Sequence, residues 1–305
     1  MAAAKRLCGL VPPPRRPLRS CDPMKLTILG SGTPEAYARR ASSGYLLEVG
    51  GDTILFDCGG GVFDNLLRSG RRPSDITHLF FSHLHSDHMM DYARLVHAAW
   101  DEGAAPLQVF GPSPITQITQ GNFGPRGVLS HDLRARTELL PSQEVWKARG
   151  GSLPRPWPSP VVTEVEPGFS LEGNGWSLRS CEVPHAQPAL DCMGFAVVSR
   201  GRKFVYSGDA GLCDALSELA TGADLLLHWC YRLDGEAAHE LMRPLTPTPA
   251  EIARMARAAG VRRLLLTHFR VHMDSDEHHA AAMSLMRAEF GDECGIAEDL
   301  QSVDI

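Results

Sequence analysis

Residues 83–88, His-Leu-His-Ser-Asp-His, constrain this chain more than any other feature of its sequence. Four side chains that can bind a metal fall within six positions, directly after a predicted strand at His78–Phe81 and directly before a predicted helix. Residues two apart in an extended segment point to the same side, so the first two histidines can share one ion. The turn into the helix directs Asp87 and His88 toward a second ion. Imidazole with carboxylate is a ligand set that suits Zn²⁺.

Three later strands are also followed by a residue with a metal-binding side chain, which repeats the placement of the first motif. Each of these residues alone is more often a structural polar group than a ligand. Three of them at three strand ends make coincidence the weaker explanation. They are His185 after the predicted strand Ser177–Val183, Asp209 after Lys203–Tyr206, and His268 after Arg263–Leu266.

The rest of the pattern is typical of an α/β chain. The 305 residues are 43% hydrophobic, enough to bury a sizeable core. Short aliphatic or β-branched runs predict further strands at Lys25–Leu29, Tyr45–Val49, Thr53–Phe56, Leu107–Phe110, Gly194–Ser199 and Asp224–Leu227. Apolar residues at helical spacing predict helices at Val62–Arg68, Met89–Trp100, Cys213–Ala220, Pro249–Ala259 and Asp276–Phe290. No run approaches the roughly 18 apolar residues of a membrane span, so no membrane association is expected.

Charge is distributed unevenly along the chain. Thirty Lys and Arg against 36 Asp and Glu give a net charge of −6, while residues 1–23 hold five basic residues and one acidic residue, so residues 24–305 carry −10. An acidic body argues against a broad nucleic-acid surface. We interpret residues 1–23 as a disordered or leader segment and residues 24–305 as one hydrolase domain. Eight scattered cysteines without a CxxC motif favour a reducing compartment and a cytoplasmic location, with organelle targeting by residues 1–23 as the alternative.

Residues 121–160 differ from the rest of the domain because they are rich in Gly, Pro and Arg. Their six basic residues against three acidic ones give +3 in an otherwise acidic body, with Trp146 and Trp157 interleaved. The segment is predicted to be an inserted arm or lid, and a long solvated loop is an equal alternative. The basic residues are Arg126, Arg134, Arg136, Lys147, Arg149 and Arg155.

The order of these motifs resembles the metallo-β-lactamase superfamily over Met24 to Ile305. Asp57, in Leu-Phe-Asp-Cys-Gly, precedes the motif at residues 83–88, and the three later strand-end residues follow in the family's order. The segments Gly30–Pro34 and Tyr206–Asp209 resemble the ribonuclease Z and arylsulfatase-like branch. The resemblance implies an α/β fold of the αββα type, in which two mixed sheets are flanked by helices, with a binuclear zinc site at one sheet edge.

The resemblance also implies a role for each residue. One zinc ion would be held by His83, His85 and His185, the other by Asp87, His88 and His268, with Asp209 bridging and Asp57 orienting a ligand from outside. Mn²⁺ or Fe²⁺ are alternatives to zinc. A water that bridges two such ions ionises near neutral pH, and the ions polarise the bond under attack. The catalytic candidates are Asp87, Asp209 and His228.

Two departures from the family concern the substrate. Ribonuclease Z enzymes carry a His-Glu pair after the strand equivalent to Asp224–Leu227, and a further histidine before the helix equivalent to Pro249–Ala259. Here His228 is followed by Trp229, and residues 245–248 contain no histidine, although His239 lies upstream. These differences predict that Trp229 forms an apolar wall of a pocket for a compact substrate, with a tryptophan buried in the core as the slightly favoured alternative.

The sequence therefore favours a binuclear zinc hydrolase of a small ester, a phosphodiester or sulfate ester, acting as a homodimer on a small-molecule substrate. Nucleic acid is disfavoured but retained, since a tRNA 3′-processing endonuclease, in which residues 121–160 grip RNA, is one alternative. Hydrolytic dehalogenation and lactam or lactone opening would use the same site. A metal-stabilised binding protein is the alternative from another class.

Overall fold

The structure is a computed structural model that describes residues 23–305. The predicted leader therefore lies almost entirely outside the described residues. Two seven-stranded sheets pack face to face within the described part of the chain, and helices cover their outer faces. This is the αββα sandwich expected from the sequence. No helix among residues 23–305 is both long enough and apolar enough to cross a membrane.

The first sheet has the order β14-β1-β2-β3-β4-β5-β6. It begins with an antiparallel meander, β1 to β3, and continues with parallel pairing from β3 to β6. Its strands are β1 Lys25–Gly30, β2 Gly44–Val49, β3 Asp52–Phe56, β4 His78–Phe80, β5 Gln108–Gly111, β6 Val161–Glu164 and β14 Ser302–Asp304.

The second sheet has the order β13-β12-β11-β10-β9-β8-β7. Strands β10 to β13 pair in parallel, and β8 and β10 are both antiparallel to β9, so these two run in the same direction. Its strands are β7 Ser170–Glu172, β8 Ser177–Glu182, β9 Met193–Ser199, β10 Arg202–Tyr206, β11 Leu225–Trp229, β12 Leu264–Thr267 and β13 Cys294–Ile296.

The helices are α1 Val62–Arg68, α2 Ser86–Met89, α3 Tyr92–Asp101, α4 Ile115–Phe123, α5 Ser130–Glu138, α6 Leu140–Ala148, α7 Asp214–Ala220, α8 Pro249–Ala258 and α9 Asp276–Glu289. The predicted start of α8 agrees with a capping box in which Thr248 and Glu251 each accept from the other's backbone N–H, with Pro249 in the first turn. Short 3₁₀ helices lie at Pro73–Asp75, Arg243–Leu245 and Val271–Met273.

Three apolar clusters hold these layers together. The central one joins the inner faces of both sheets through stacked aromatic rings such as those of Phe56, Phe80 and Phe195. A second cluster packs α7, α8 and α9 on the second sheet, and a third packs α1, α3 and α4 on the first. Alternate residues of each strand enter different clusters, as the two-residue period of a strand requires. This alternation decides which side chains face the metal centre described below.

The predicted strands and helices are present, with ends that shift by one to three residues. The helix predicted at Met89–Trp100 instead begins at Ser86 and is broken between Met89 and Tyr92, so that the metal-binding motif itself forms the first turn. Strands β6, β7, β13 and β14 were not predicted. They are three or four residues long and lie at or near the sheet edges, where little apolar periodicity can develop.

Residues 121–160 combine helices, as far as Ala148, with a turn at 124–129 and a loop at 149–160. They include the end of α4, all of α5 and α6, and a return segment to β6. Arg155 holds the segment that leads back to β6. Its guanidinium carbon lies 3.7 Å from the ring centroid of Trp100 and 4.2 Å from that of Trp146, and its Nη2 binds Asp101 at 2.8 Å. Because Trp100 and Asp101 end α3, the arm is attached to the body of the domain.

Candidate metal centre

The carboxyl ends of β3, β4, β8, β10 and β12 converge at one edge of the sandwich. Because parallel strands end on the same side of a sheet, the residues that follow them are brought together there. Strand β4 leads into the motif at residues 83–88. Strands β8, β10 and β12 lead to His185, Asp209 and His268. The structure therefore assembles all the predicted ligand side chains at one site.

Three histidines form the first part of the site. The Nε2 atom of His83 lies 2.9 Å from Nδ1 of His85, which lies 3.3 Å from Nε2 of His185. The other nitrogen of His83, Nδ1, lies 3.0 Å from the hydroxyl of Ser82. The three facing nitrogens therefore converge on one point, as ligands of a single ion do.

The second part combines carboxylates with two histidines. Nε2 of His268 lies 3.2 Å from Oδ2 of Asp87 and 3.2 Å from Oδ2 of Asp209. The same Asp209 oxygen lies 3.4 Å from Nε2 of His88 and 3.8 Å from Nε2 of His185, a member of the first group. Asp209 thus reaches both parts of the site with one oxygen.

Side chains that could hold an ion with ligand atoms within 4.8 Å of one another form overlapping sets at this edge. The overlap is what a pair of neighbouring ions requires. The sets are His83, His85 and His185; His83, His88 and Asp209; and Asp87, His88 and His268.

Asp57 is buried next to this cluster and contacts one of its histidines together with two hydroxyl groups. Its Oδ2 accepts hydrogen bonds from Tyr206 OH at 2.7 Å and Ser82 Oγ at 2.8 Å, and lies 2.9 Å from Nδ1 of His88. With Nδ1 held in this way, Nε2 of His88 points into the cluster and has no hydrogen-bond partner among the described residues. A buried nitrogen without a partner, surrounded by other ligand atoms, fits a metal ligand.

Two residues of the site have backbone conformations that side chains other than glycine rarely adopt. Asp57 has φ of 58° and His268 has φ of 66°. Each such conformation costs on the order of 1–3 kcal/mol and persists where the surroundings impose it. Hydrogen bonds of adjacent backbone groups, Cys58 N to His88 O at 2.7 Å and Phe269 N to Ser31 O at 2.9 Å, impose it here.

Burial and neighbouring charges shift the pKa values of several side chains in the cluster. Burial, reinforced by neighbouring histidines, lowers the pKa of His83, and burial lowers that of His185 to about 4, so both imidazoles are neutral at pH 7. Burial alone would raise the pKa of Asp209, but the neighbouring His268 and His88 outweigh it and hold that pKa well below its usual range. Burial alone would lower the pKa of His88, but the neighbouring Asp209 and Asp57 outweigh it and raise that pKa well above its ordinary value. The site therefore combines two imidazoles held neutral, His83 and His185, with the ionised carboxylate of Asp209, and such donors fit divalent metal ions.

With this geometry established, the chain can be compared with known proteins. A family model described as a beta-lactamase superfamily domain matches residues 52–269, a range that includes every residue from Asp57 to His268 discussed above. The chain belongs to the metallo-β-lactamase superfamily. The predicted membership is confirmed, and with it a hydrolase of this superfamily rather than a metal-stabilised binding protein.

Curated relatives place this superfamily member in the ribonuclease Z branch. A ribonuclease Z of Mycobacterium bovis is 27% identical over 291 residues, which are 92% of this chain and 98% of that protein. A ribonuclease Z of Mycolicibacterium gilvum is 30% identical over 255 residues, 81% of this chain and 84% of that protein.

Solved structures of the superfamily share the fold. A metallo-β-lactamase fold protein, YhfI, of Bacillus subtilis matches with a TM-score of 0.71 at 21% identity over 93% of this chain and all of that chain. The short form of human tRNase Z matches with a TM-score of 0.66 at 22% identity, over 92% of this chain and 99% of that chain. The superfamily and this branch imply a divalent metal at the site.

His228, for which a catalytic role is predicted, lies near the end of β11 in this metallo-β-lactamase fold. Strand β11 continues to Trp229, and its side chains alternate: Leu225 and Leu227 enter the core between the sheets, whereas Leu226 packs toward the helices. His228 follows the same face as Leu226, and its Nδ1 donates to the carbonyl of Trp229 at 2.7 Å. His228 therefore lies on the opposite face of β11 from Trp229, and its catalytic role stays a prediction.

Trp229 faces the site as a buried side chain, and its role as a pocket wall stays a prediction. Its residue surface is only 2% exposed, and its ring centroid lies 5.2 Å from that of His185 and 5.9 Å from that of His268. The indole Nε1 is buried without a hydrogen-bond partner among the described residues. Trp229 packs behind the ligands. Beyond the end of β11, its partly buried neighbour on the same face is Tyr231, to which a two-residue period from Trp229 leads.

Proposed function

We propose that the protein is a metal-dependent phosphodiesterase that cleaves RNA, as the name ribonuclease Z states for its relatives. The observation that carries this proposal is the three overlapping ligand sets, with Asp209 close to both parts of the site, together with 27–30% identity to those relatives over most of the chain. This reverses the order of the hypotheses from sequence, which preferred a small ester and kept tRNA processing as the alternative.

In this proposal one zinc ion would be held by His83, His85 and His185 and the other by Asp87, His88 and His268. Asp209 would be a ligand of both, and Asp57 orients His88 through the hydrogen bond at 2.9 Å. When bound, such ions lower the pKa of a coordinated water and polarise the phosphoryl oxygen. The residues of this chain supply the rest: the low pKa of Asp209 keeps a negative charge between the two ion positions.

The net charge of −10 over residues 24–305 is a weaker argument against RNA binding when the ion pairs of individual arginines are considered. Several cations of the arm are neutralised by contacts within the domain: Arg136 binds Asp132 at 2.9 Å, and Arg149 and Arg155 bind Asp101 at 3.0 and 2.8 Å. Arg134 lies near only a backbone oxygen, at 3.5 Å, and makes no ion pair among residues 23–305. A basic contact for a phosphate is therefore available without a basic surface overall. A homodimer and a cytoplasmic location remain predictions.

A second candidate, hydrolysis of a small phosphodiester or sulfate ester, is favoured by one observation. The position of the family's glutamate is occupied by Trp229, and residues 245–248 offer no histidine, so the groups associated with protonating an RNA leaving group are missing. A substrate whose leaving group needs no proton would suit such a site.

Assays of the metal-loaded protein with a tRNA precursor, bis(p-nitrophenyl) phosphate and p-nitrophenyl sulfate separate these functions. Cleavage of the precursor at its 3′ side supports the first proposal. Hydrolysis of an aryl ester with no cleavage of the precursor supports the second. Failure on all three substrates by protein with full metal content contradicts both.

A further inference from the structure

The alternation of side chains between the two faces of β11 continues beyond the end of the strand. Cys230 packs in the cluster between the second sheet and its helices, on the same side as Leu226. The backbone N–H of Cys230 still bonds to the carbonyl of Thr267 at 2.9 Å, so the pairing with β12 extends one residue further. Tyr231 therefore returns to the face that Trp229 occupies, which is the face of the metal centre.

Contacts around Tyr231 hold its ring beside the metal centre. The ring centroid lies 6.1 Å from that of His268, and the ring stacks on Trp229 at 5.5 Å with an angle of 20° between the planes. The guanidinium carbon of Arg270 lies 4.8 Å from the ring centroid. Arg270 is in turn fixed between two carboxylates, at 3.6 Å from Glu35 and 3.4 Å from Glu236.

The hydroxyl is the part of Tyr231 that remains free for a ligand. The side chain is only partly buried, and within residues 23–305 its oxygen makes no hydrogen bond. The ring is already engaged by Trp229 and Arg270, so a substrate meets the polar end of the side chain. The arrangement presents one fixed O–H donor at the edge of the metal centre.

This donor lies two residues beyond the position at which the family's glutamate is missing. Trp229 stands in the position of the glutamate, and an indole N–H does not give up its proton near neutral pH. We propose that Tyr231 is a catalytic residue that donates a hydrogen bond to the leaving-group oxygen of the phosphodiester. The proposal rests on the phosphodiesterase function proposed above and adds to it the group that stabilises departure.

The step balances without any further reagent. A water-derived hydroxide oxygen forms a bond to phosphorus, and the bond from phosphorus to the leaving oxygen breaks. The electron pair of that bond stays on the leaving oxygen, which accepts the hydrogen bond from the Tyr231 hydroxyl while its charge grows. The leaving oxygen then takes a proton from solvent water, and Tyr231 keeps its own. The phenol acts by stabilising charge.

The test compares Tyr231→Phe with the wild type on a series of aryl esters of thymidine 5′-phosphate whose phenols differ in acidity. Removal of the donor should lower kcat/KM about 10–100-fold for the least acidic phenol, the range expected from losing one hydrogen bond to a charged oxygen. For p-nitrophenol, which leaves readily, the change should stay within about threefold. The dependence of log kcat/KM on phenol acidity should therefore become steeper in the variant.

The slope also distinguishes loss of the hydrogen bond from misfolding, because a lower fraction of active protein reduces the rates for all esters equally. Metal content measured by elemental analysis should equal that of the wild type. Tyr37→Phe, which removes the hydroxyl from a tyrosine that bonds to Asp274, is the matched control and should leave the slope unchanged. An equal loss on every ester, or an unchanged slope, overturns the role of Tyr231. A wild-type protein with full metal content that hydrolyses no ester of the series overturns the phosphodiesterase function, and the inference with it.

Discussion

The metal centre and the arm at residues 121–160 are both built from charged and aromatic side chains, yet they differ in how those side chains are used. At the metal centre, polar atoms converge and remain short of partners: Nε2 of His88 has none among the described residues. In the arm, most of the basic side chains are paired with carboxylates: Arg155 lies between two tryptophans and binds Asp101, although its Nε has no hydrogen-bond partner among the described residues. Convergence of several ligand atoms on one place identifies a functional site, whereas a single buried atom without a partner or a cluster of charges in the sequence does not.

The largest effect should come from Asp209→Ala. This change removes the carboxylate whose Oδ2 lies within 3.8 Å of ligand nitrogens in both groups. Because metal-ion catalysis is worth several kcal/mol, we expect kcat/KM to fall by at least about 1,000-fold, with the loss of at least one ion. Elemental analysis measures the ions per chain. Full metal content in the variant would contradict a bridging role.

A smaller effect is expected for Asp57→Asn. The amide keeps the size of the side chain but weakens its hold on Nδ1 of His88 at 2.9 Å. Groups that orient a ligand in this way typically contribute 10–100-fold in metal affinity. Competition with a chelator should therefore show metal affinity lowered by about that factor while the fold is retained. Loss of metal as complete as in Asp209→Ala would show that Asp57 is itself a ligand.

The same contrast explains what the sequence could predict. The metal-binding residues follow strands directly, and the rule that parallel strands end at one edge of a sheet brings them together without knowledge of any other contact. The position of His228 could not be assigned in this way, because the predicted strand Asp224–Leu227 stops before His228. Only the observed end of β11 at Trp229 shows that His228 and Trp229 lie on opposite faces of the strand.

The arm depends on contacts between residues far apart in the chain. Arg155 and Asp101 are 54 positions apart, and nothing in the composition of residues 121–160 indicates that they pair. A count of charges gave +3 for this segment, but neither the pairing of Arg149 with Asp101 nor the exposure of Arg134 can be read from a count. Periodicity also predicted no helix at α6, where no residue is buried and the apolar face is weak.

Arg155→Ala tests whether the arm contributes to stability rather than to the metal centre. The side chain of Arg155 is 5% exposed and that of Asp101 30%. Breaking a buried ion pair costs about 3–5 kcal/mol, and the partial exposure of Asp101 reduces the expected loss to about 2–3 kcal/mol. Arg149→Ala acts on the same carboxylate from an exposed side chain and should cost less than about 1 kcal/mol. Denaturant unfolding compares the two, and metal content should be unchanged in both. Equal losses would contradict the buried anchor.

The smallest expected effect is on the salt dependence of RNA cleavage, which tests whether the arm binds RNA. It compares two neighbouring arginines, Arg134 and Arg136. If Arg134 binds a phosphate, Arg134→Ala should reduce the slope of log kcat/KM against log salt by about 0.7–0.9 for a tRNA precursor, or about threefold in rate between 50 and 200 mM salt. Arg136 is already paired with Asp132 at 2.9 Å, so Arg136→Ala should change the slope by less than half as much. Equal changes would mean that both arginines reach the substrate and that the pairing with Asp132 breaks on binding. A slope near zero for the wild type and both variants would show that the arm, unlike the metal centre, has no part in binding the substrate.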